Sequence, residues 1–336
     1  MMLRKLIATA VMCLSVNAMA ETPIKFQLDW RFEGPSAFFL LPTAKGYFKQ
    51  EGLDVTVDAG NGSGNAVNRV ASGAYDMGFA DMGALMEFYG NNPDAPNKPV
   101  AVMVVYNNTP AAVMALKSSG IKTPADLTGK KLGSPVFDSG RRSFPLFQAA
   151  NKVGAVNWIS MDPALRETML AKGDVDAITG FSFTSLLNLE ARGIKADDVV
   201  TFPFAKNGVR LYGNVIIVSP KLLKENPAAI KSFLTAFTKG AKEVVAHPDD
   251  AIAFVKERDG IINVDLEKRR LKIAIADAVL TPDAKAEGFG NVSTPRLALM
   301  ASQISDVFNT KTRVNPDVIW NKSFLPSAEQ RNIFAK

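Results

Sequence analysis

The strongest constraint on this chain is an alternation of short apolar strands with helical stretches that begins near residue 24. Residues 24–28 read as a strand, and so do 53–57, where Leu53, Val55 and Val57 alternate. The helical stretch between them runs toward Phe48. Pro42 inside it predicts a kink or a late start, and Gly52 closes it. A helix over 65–72, a strand over 77–80, a helix over 83–89 and a strand over 100–106 follow. This β-α-β-α-β order predicts a parallel, doubly wound sheet, because parallel neighbours need a crossover between them.

Asn107-Asn108-Thr109-Pro110 then breaks the pattern, and a second series starts. Its strands fall at 112–116, 132–136, 156–160, 175–179 and 199–202, with helices between them. Thr123-Pro124-Ala125-Asp126 marks one helix start, and Asp138-Ser139-Gly140 opens another that runs over 141–152. A long apolar strand over 211–218 leads into a mainly helical remainder. There Ile230, Phe233, Leu234, Phe237, Ala241, Val244 and Val245 form one apolar stripe that reads as core. The prediction is an α/β protein with two doubly wound lobes joined by two crossing segments. Residues 21–110 with 213–336 make the first lobe and 111–212 the second.

Residues 1–20 read as a secretory signal peptide: Arg4 and Lys5, an apolar stretch over 6–16, and Ala18-Met19-Ala20 as the cleavage site. The single cysteine, Cys13, lies within it, so the remainder has no thiol for a disulfide or a cysteine metal site. The net charge of +6 is modest and no dense Lys/Arg block occurs, which argues against nucleic-acid binding. His247 is the one histidine, before Pro248-Asp249-Asp250, and reads as a loop residue. General acid–base chemistry is therefore poorly supplied.

Ligands of open parallel sheets sit beyond the carboxyl ends of the strands. Those ends bring Trp30, Asp81, Met82, Asn107, Phe137, Ser139, Arg141, Phe181, Phe183 and Tyr212 forward as ligand-binding candidates. Gly62-Ser63-Gly64-Asn65 adds a helix start whose free N–H groups suit an anion or a carbonyl. Ser63, Gly64 and Asn65 are candidates there, although the same residues also fit an ordinary capped turn. Trp30, Phe181, Phe183 and Tyr212 would be stacking walls. Arg141 or Arg142 would grip an acid group through paired hydrogen bonds, helical geometry making it one or the other. Paired Asp29 and Asp81 read as hydrogen-bonding or capping residues rather than a glycosidase pair.

Leu28-Asp29-Trp30 with Gly46-Tyr47-Phe48-Lys49-Gln50-Glu51-Gly52-Leu53-Asp54-Val55 resembles the opening of the periplasmic solute-binding proteins of ABC importers. The branch is the one containing alkanesulfonate, taurine and thiamine-precursor pyrimidine binders. Gly73-Ala74-Tyr75-Asp76-Met77-Gly78-Phe79-Ala80-Asp81 resembles its third strand, and Asp126-Leu127-Thr128-Gly129-Lys130-Lys131 its entry into the second lobe. The resemblance implies a type II-like periplasmic binding protein that closes two lobes on a small organic ligand. It also implies a periplasmic location, delivery to ABC permease subunits in the inner membrane, no cofactor, no catalysis and a monomer. The family's ligand loops fall on Trp30, Ser63-Gly64, Asp81-Met82 and residues 137–141. A fungal enzyme of the same fold makes the thiamine pyrimidine from its own histidine and a pyridoxal cofactor. It carries a cysteine cluster and an active-site histidine, and this chain past residue 20 has neither. The expected ligand is an aromatic acid, then a pyrimidine, then an aliphatic sulfonate. The alternatives from other classes are an importer-independent sensor or adaptor and a secreted hydrolase.

Overall fold

The structure is a computed structural model and describes residues 21–334. The expected signal peptide, with Cys13, lies outside the described residues. Among the described residues ten strands form in chain order: β1 (Thr22–Gln27), β2 (Leu53–Asp58), β3 (Met77–Asp81), β4 (Val100–Val104), β5 (Ala111–Leu116), β6 (Lys131–Ser134), β7 (Asn157–Ser160), β8 (Ala177–Phe181), β9 (Val199–Pro203) and β10 (Asn214–Val218). They make two five-stranded sheets, ordered β2-β1-β3-β10-β4 and β7-β6-β8-β5-β9.

The sheets are mixed, where the strand–helix alternation had predicted parallel ones. β1 pairs in parallel with β2 and β3, whereas β10 runs antiparallel to both β3 and β4. β5 likewise runs antiparallel to β8 and β9. The cause lies in the crossings. β4 ends at the carboxyl edge of the first sheet, and the chain passes directly into the second sheet as β5 with no helix between them. A strand that enters without a crossover helix arrives at the carboxyl edge and runs against its neighbours. β10 returns to the first sheet with only a short 3-10 turn, Phe204–Lys206, before it. Residues 211–213, expected as the start of this strand, belong instead to the second crossing.

The two crossings are fastened to each other. Arg296, from helix Thr294–Val307, donates to the Asn107 carbonyl at 2.7 Å and to the Leu211 carbonyl at 3.2 Å. Its guanidinium also lies over the Tyr212 ring, 3.9 Å from the centroid. One side chain thus ties together both segments that connect the sheets.

Helices cover the sheets as the apolar stripes require. Ile230, Phe233, Leu234, Phe237, Ala241 and Val244 on helix Pro227–Ala246 are buried, while Val245 is half-buried. Phe233 stacks on Phe26 of β1 and on Phe48, with centroids 5.2 and 4.7 Å away. Pro42 lies inside helix Ala37–Ala44 without ending it and packs against Gly240, where a Cβ would meet the proline ring at 2.9 Å. Helix Ser63–Ala71 starts two residues earlier than the expected Asn65, and helix Ser139–Ala150 starts directly after its capping residue, Asp138.

The lobes touch across the gap between the sheets. The Gly64 amide donates to the Phe137 carbonyl at 3.2 Å. Gly62 holds φ +138°, and a Cβ there would collide with that same carbonyl. Arg142 pairs with Glu87 at 2.8 Å, and Arg270 donates to the Phe183 and Thr184 carbonyls at 3.1 and 2.8 Å.

Replacing Phe233 with Ala removes a fully buried ring from between two aromatic neighbours. The expected loss is about 3–5 kcal/mol of unfolding free energy, read from denaturant titration. A loss below about 1 kcal/mol would contradict this packing.

Candidate functional site

The main cleft opens where the carboxyl edges of the two sheets face each other and encloses about 560 Å³ of space free of atoms, its mouth included. Its walls come from both lobes. From the first, Asp29 and Trp30 follow β1, Glu33 and Ser36 open the next helix, and Ser63 begins helix Ser63–Ala71. From the second, Asp138 and Ser139 follow β6, Arg166 follows β7, and Phe181, Phe183 and Thr184 follow β8. Phe39, Phe79 and Tyr106 close the apolar floor.

The aromatic surface is continuous. Phe79 meets Tyr106 edge-on at 5.2 Å, Tyr106 meets Phe181 and Phe183 at 6.3 and 6.1 Å, and the two phenylalanines lie 5.7 Å apart. Phe181 and Phe183 were expected to share a face by strand alternation. Both line the cleft for another reason: Phe181 ends β8, and helix Ser182–Glu190 begins at the next residue. Trp30 carries the Arg166 guanidinium over its ring at 4.9 Å, a contact between the lobes.

The charged lining groups are three carboxylates, Asp29, Glu33 and Asp138, and two guanidiniums, the exposed Arg31 and the buried Arg166. Asp29 Oδ2 accepts from Asn214 Nδ2 at 2.7 Å and from Ser63 Oγ at 3.1 Å. Burial pushes its carboxyl up to about 6 despite those hydrogen bonds. Glu33 accepts from Thr184 Oγ1 at 2.8 Å, again between lobes. Burial raises its pKa as well, opposed by the Arg270 guanidinium 3.6 Å away. Asp138 is raised by burial, opposed by Arg166, to which it is paired at 3.1 Å; its other oxygen caps helix Ser139–Ala150 through the Arg141 amide.

Several expected site residues stand elsewhere. Arg141 points away from the cleft: it donates to the Ser134 carbonyl and Ser160 Oγ and lies over the Trp158 ring at 4.7 Å. Arg142 is engaged with Glu87, so neither guanidinium of the pair lines the cleft. Tyr212 is fully buried, its hydroxyl held by Glu287 at 2.9 Å and by the Ser293 amide. Asn107 bonds Glu287, Thr281 and Arg296 at the first crossing. Asp81 caps helix Met82–Asn91 through the Gly83 and Ala84 amides, and burial pushes its carboxyl up to about 7. Met82 is core. Gly64, Asn65 and Phe137 lie behind the lining, and Gly64 and Phe137 meet there through the backbone. Trp30, Ser63, Ser139, Phe181 and Phe183 do line the cleft.

Glu33 and Arg166 are lining residues that motif reading passed over. Arg166 follows the carboxyl end of β7, and Glu33 lies in the loop after β1. The strand-end rule reaches both once those loops are followed through to the next helix.

Two mixed sheets joined by two direct crossings, with a cleft at their facing carboxyl edges, define the periplasmic-binding-protein fold. A solved structure with this fold, the periplasmic aliphatic sulphonate binding protein SsuA from Escherichia coli, superposes with a TM-score of 0.68 at 14% identity, covering 92% of this chain and 95% of that one. Residues 35–251 match the NMT1/THI5-like family, well over half of the chain, and the chain belongs to that family. Relatives include a formylaminopyrimidine-binding protein from Halalkalibacterium halodurans, 24% identical with 68% of each chain covered. Another is a 4-amino-5-hydroxymethyl-2-methylpyrimidine phosphate synthase from Aspergillus parasiticus, 26% identical over 68% of this chain and 69% of that one.

The raised carboxyls have a sign that can be tested. Asp29 and Asp81 hold a proton in the folded protein up to about pH 6 and about pH 7, whereas in the unfolded chain they release it near pH 4. The folded state then binds more protons in this window, so the stability contributed by these two groups is full below about pH 4 and is lost as pH rises toward 7. Thermal midpoints measured from pH 4 to pH 7 should show this fall, and Asp29→Asn should flatten it. An unchanged slope in the variant would remove Asp29 from the account.

Proposed function

We propose that this chain is the solute-binding component of an ABC importer and that its cleft captures a planar N-heteroaromatic base of the aminopyrimidine class. The observation that carries this reading is the pairing of aromatic walls with an excess of carboxylates. Asp29, Glu33 and Asp138 line the cleft against two guanidiniums, the solvent-exposed Arg31 and the buried Arg166, which is already paired with Asp138 and Glu167. A flat ring is held by dispersion and quadrupole contacts with Trp30 and the phenylalanines. Ring and exocyclic N–H donors find acceptors at Asp29 Oδ1 and Glu33 Oε1, since the hydrogen bonds from neighbouring side chains fall on the other oxygen of each.

This reverses the order expected from the sequence, which placed an aromatic acid ahead of a pyrimidine because Arg141 was to neutralise it. With Arg141 outside the cleft, an acid would meet three carboxylates, while of the two lining arginines Arg166 is already paired and Arg31 is exposed to solvent. The formylaminopyrimidine binder among the relatives supports the same order. Among the described residues lining the cleft there is no His, Cys or Lys, and His247 lies exposed between two helices elsewhere. We therefore read the chain as a binder that does no covalent chemistry, unlike its relative named as a synthase. Closure would exclude water and strengthen the polar contacts. Export to the periplasm as a monomer and delivery to permease subunits complete the proposal; among the described residues no helix is long and apolar enough to cross a membrane.

A thermal-shift panel tests it. An aminopyrimidine at a hundred times its dissociation constant should stabilise the protein by ~2.7 kcal/mol, with benzoate and an alkanesulfonate giving no shift. Binding of the sulfonate alone would sink the ligand class. Trp30→Ala should weaken the best hit about tenfold to a hundredfold in calorimetry, the value of one aromatic stacking partner.

A further inference from the structure

Arg166 is the one buried guanidinium of the cleft among the described residues and would suit an anion, but its surroundings prevent that use; Arg31, the other lining arginine, is exposed to solvent. It is 1% exposed and held on three sides. Glu167 Oε1 takes Arg166 Nε at 2.9 Å and Nη2 at 2.8 Å, Asp138 Oδ2 takes Nη1 at 3.1 Å, and the Trp30 ring covers one face. Glu167 is itself fixed, since Ser185 Oγ donates to the same oxygen at 2.7 Å. Gly180 leaves room for the guanidinium: a Cβ there would stand 2.6 Å from Nη1. The arrangement places an internal carboxylate where a bound carboxylate or sulfonate would form its paired hydrogen bonds. Across the wider cluster, Asp29, Glu33, Asp138, Glu167 and Glu267 face only two buried guanidiniums, Arg166 and Arg270.

We propose that Glu167, which does not line the cleft, is with Asp138 the specificity determinant that keeps anionic solutes out, by occupying the donors of Arg166. The proposal deepens the reading of the cleft as a site for neutral or cationic bases. Removing the charge of Glu167 leaves Arg166 Nε and Nη2 without their charged acceptor, and an anionic ligand can then compete for those donors. Glu167 acts through Arg166, so it is a positioning residue, and its signature is a gain of binding rather than a loss.

The experiment is calorimetric titration of the purified protein with benzoate, an alkanesulfonate and 4-aminopyrimidine. Glu167→Gln should raise the affinity for benzoate or the sulfonate about tenfold or more over the unsubstituted protein, the value of one charge-assisted hydrogen bond. The gain should vanish when Arg166→Met is added. Asp138→Asn carries the same expectation if Glu167→Gln does not fold, because Asn still caps helix Ser139–Ala150. Unchanged anion affinity in the folded variant, or a gain that survives loss of Arg166, overturns the proposal. So does tight anion binding by the unsubstituted protein. If the variant gains benzoate while no form binds 4-aminopyrimidine, the specificity role stands and only the aminopyrimidine reading falls.

Discussion

A strand that enters a sheet straight from a neighbouring sheet has one direction open to it. β4 leaves the first sheet at its carboxyl edge, and β5 must enter the second from that same edge; β10 repeats the passage in reverse. With no α-helix in either crossing, each sheet acquires one antiparallel strand between the third and fourth of its four like-directed strands. The two carboxyl edges are thereby turned toward each other. Every functional element follows from this: the loops after β1, β6, β7 and β8 and the first turns of their helices meet across one gap. Arg296 then fastens the two crossings together through the carbonyls of Asn107 and Leu211.

Bringing those edges together buries acidic side chains that strand ends and helix caps favour. Asp29, Asp81 and Asp138 each sit at such a position, and desolvation dominates all three. Hydrogen bonds and the Arg166 and Arg270 guanidiniums offset part of that cost. For Asp29 and Asp138 the remainder falls in the lining of the cleft, where perturbed carboxyls are common in functional sites.

The elements were legible in the sequence to a useful degree. All ten strands lie within a few residues of where apolar alternation places them, because that alternation reports directly on backbone period and burial. Within the cleft, Trp30, Ser63, Ser139, Phe181 and Phe183 are found at the strand ends that pointed to them. The failures share a cause. Arg141 and Tyr212 also follow strand ends or crossings, but which way a side chain turns depends on neighbours from distant segments: Trp158 and Ser160 for one, Glu287 and Ser293 for the other. Glu33 and Arg166 were passed over because charged residues in a loop or an early helical turn look solvated until another lobe covers them.

The sequence by itself determined the period of each element, the division into two β/α series, the poverty of acid–base side chains past residue 20 and the family resemblance, since all of these are local in the chain. Only the tertiary structure decided the strand directions at the crossings and the sign of the charge in the cleft. Both depend on contacts between segments more than a hundred residues apart, such as Asp29 with Asn214 and Glu33 with Thr184. Electrostatic balance is a property of that assembled neighbourhood, and no single stretch of the chain contains it.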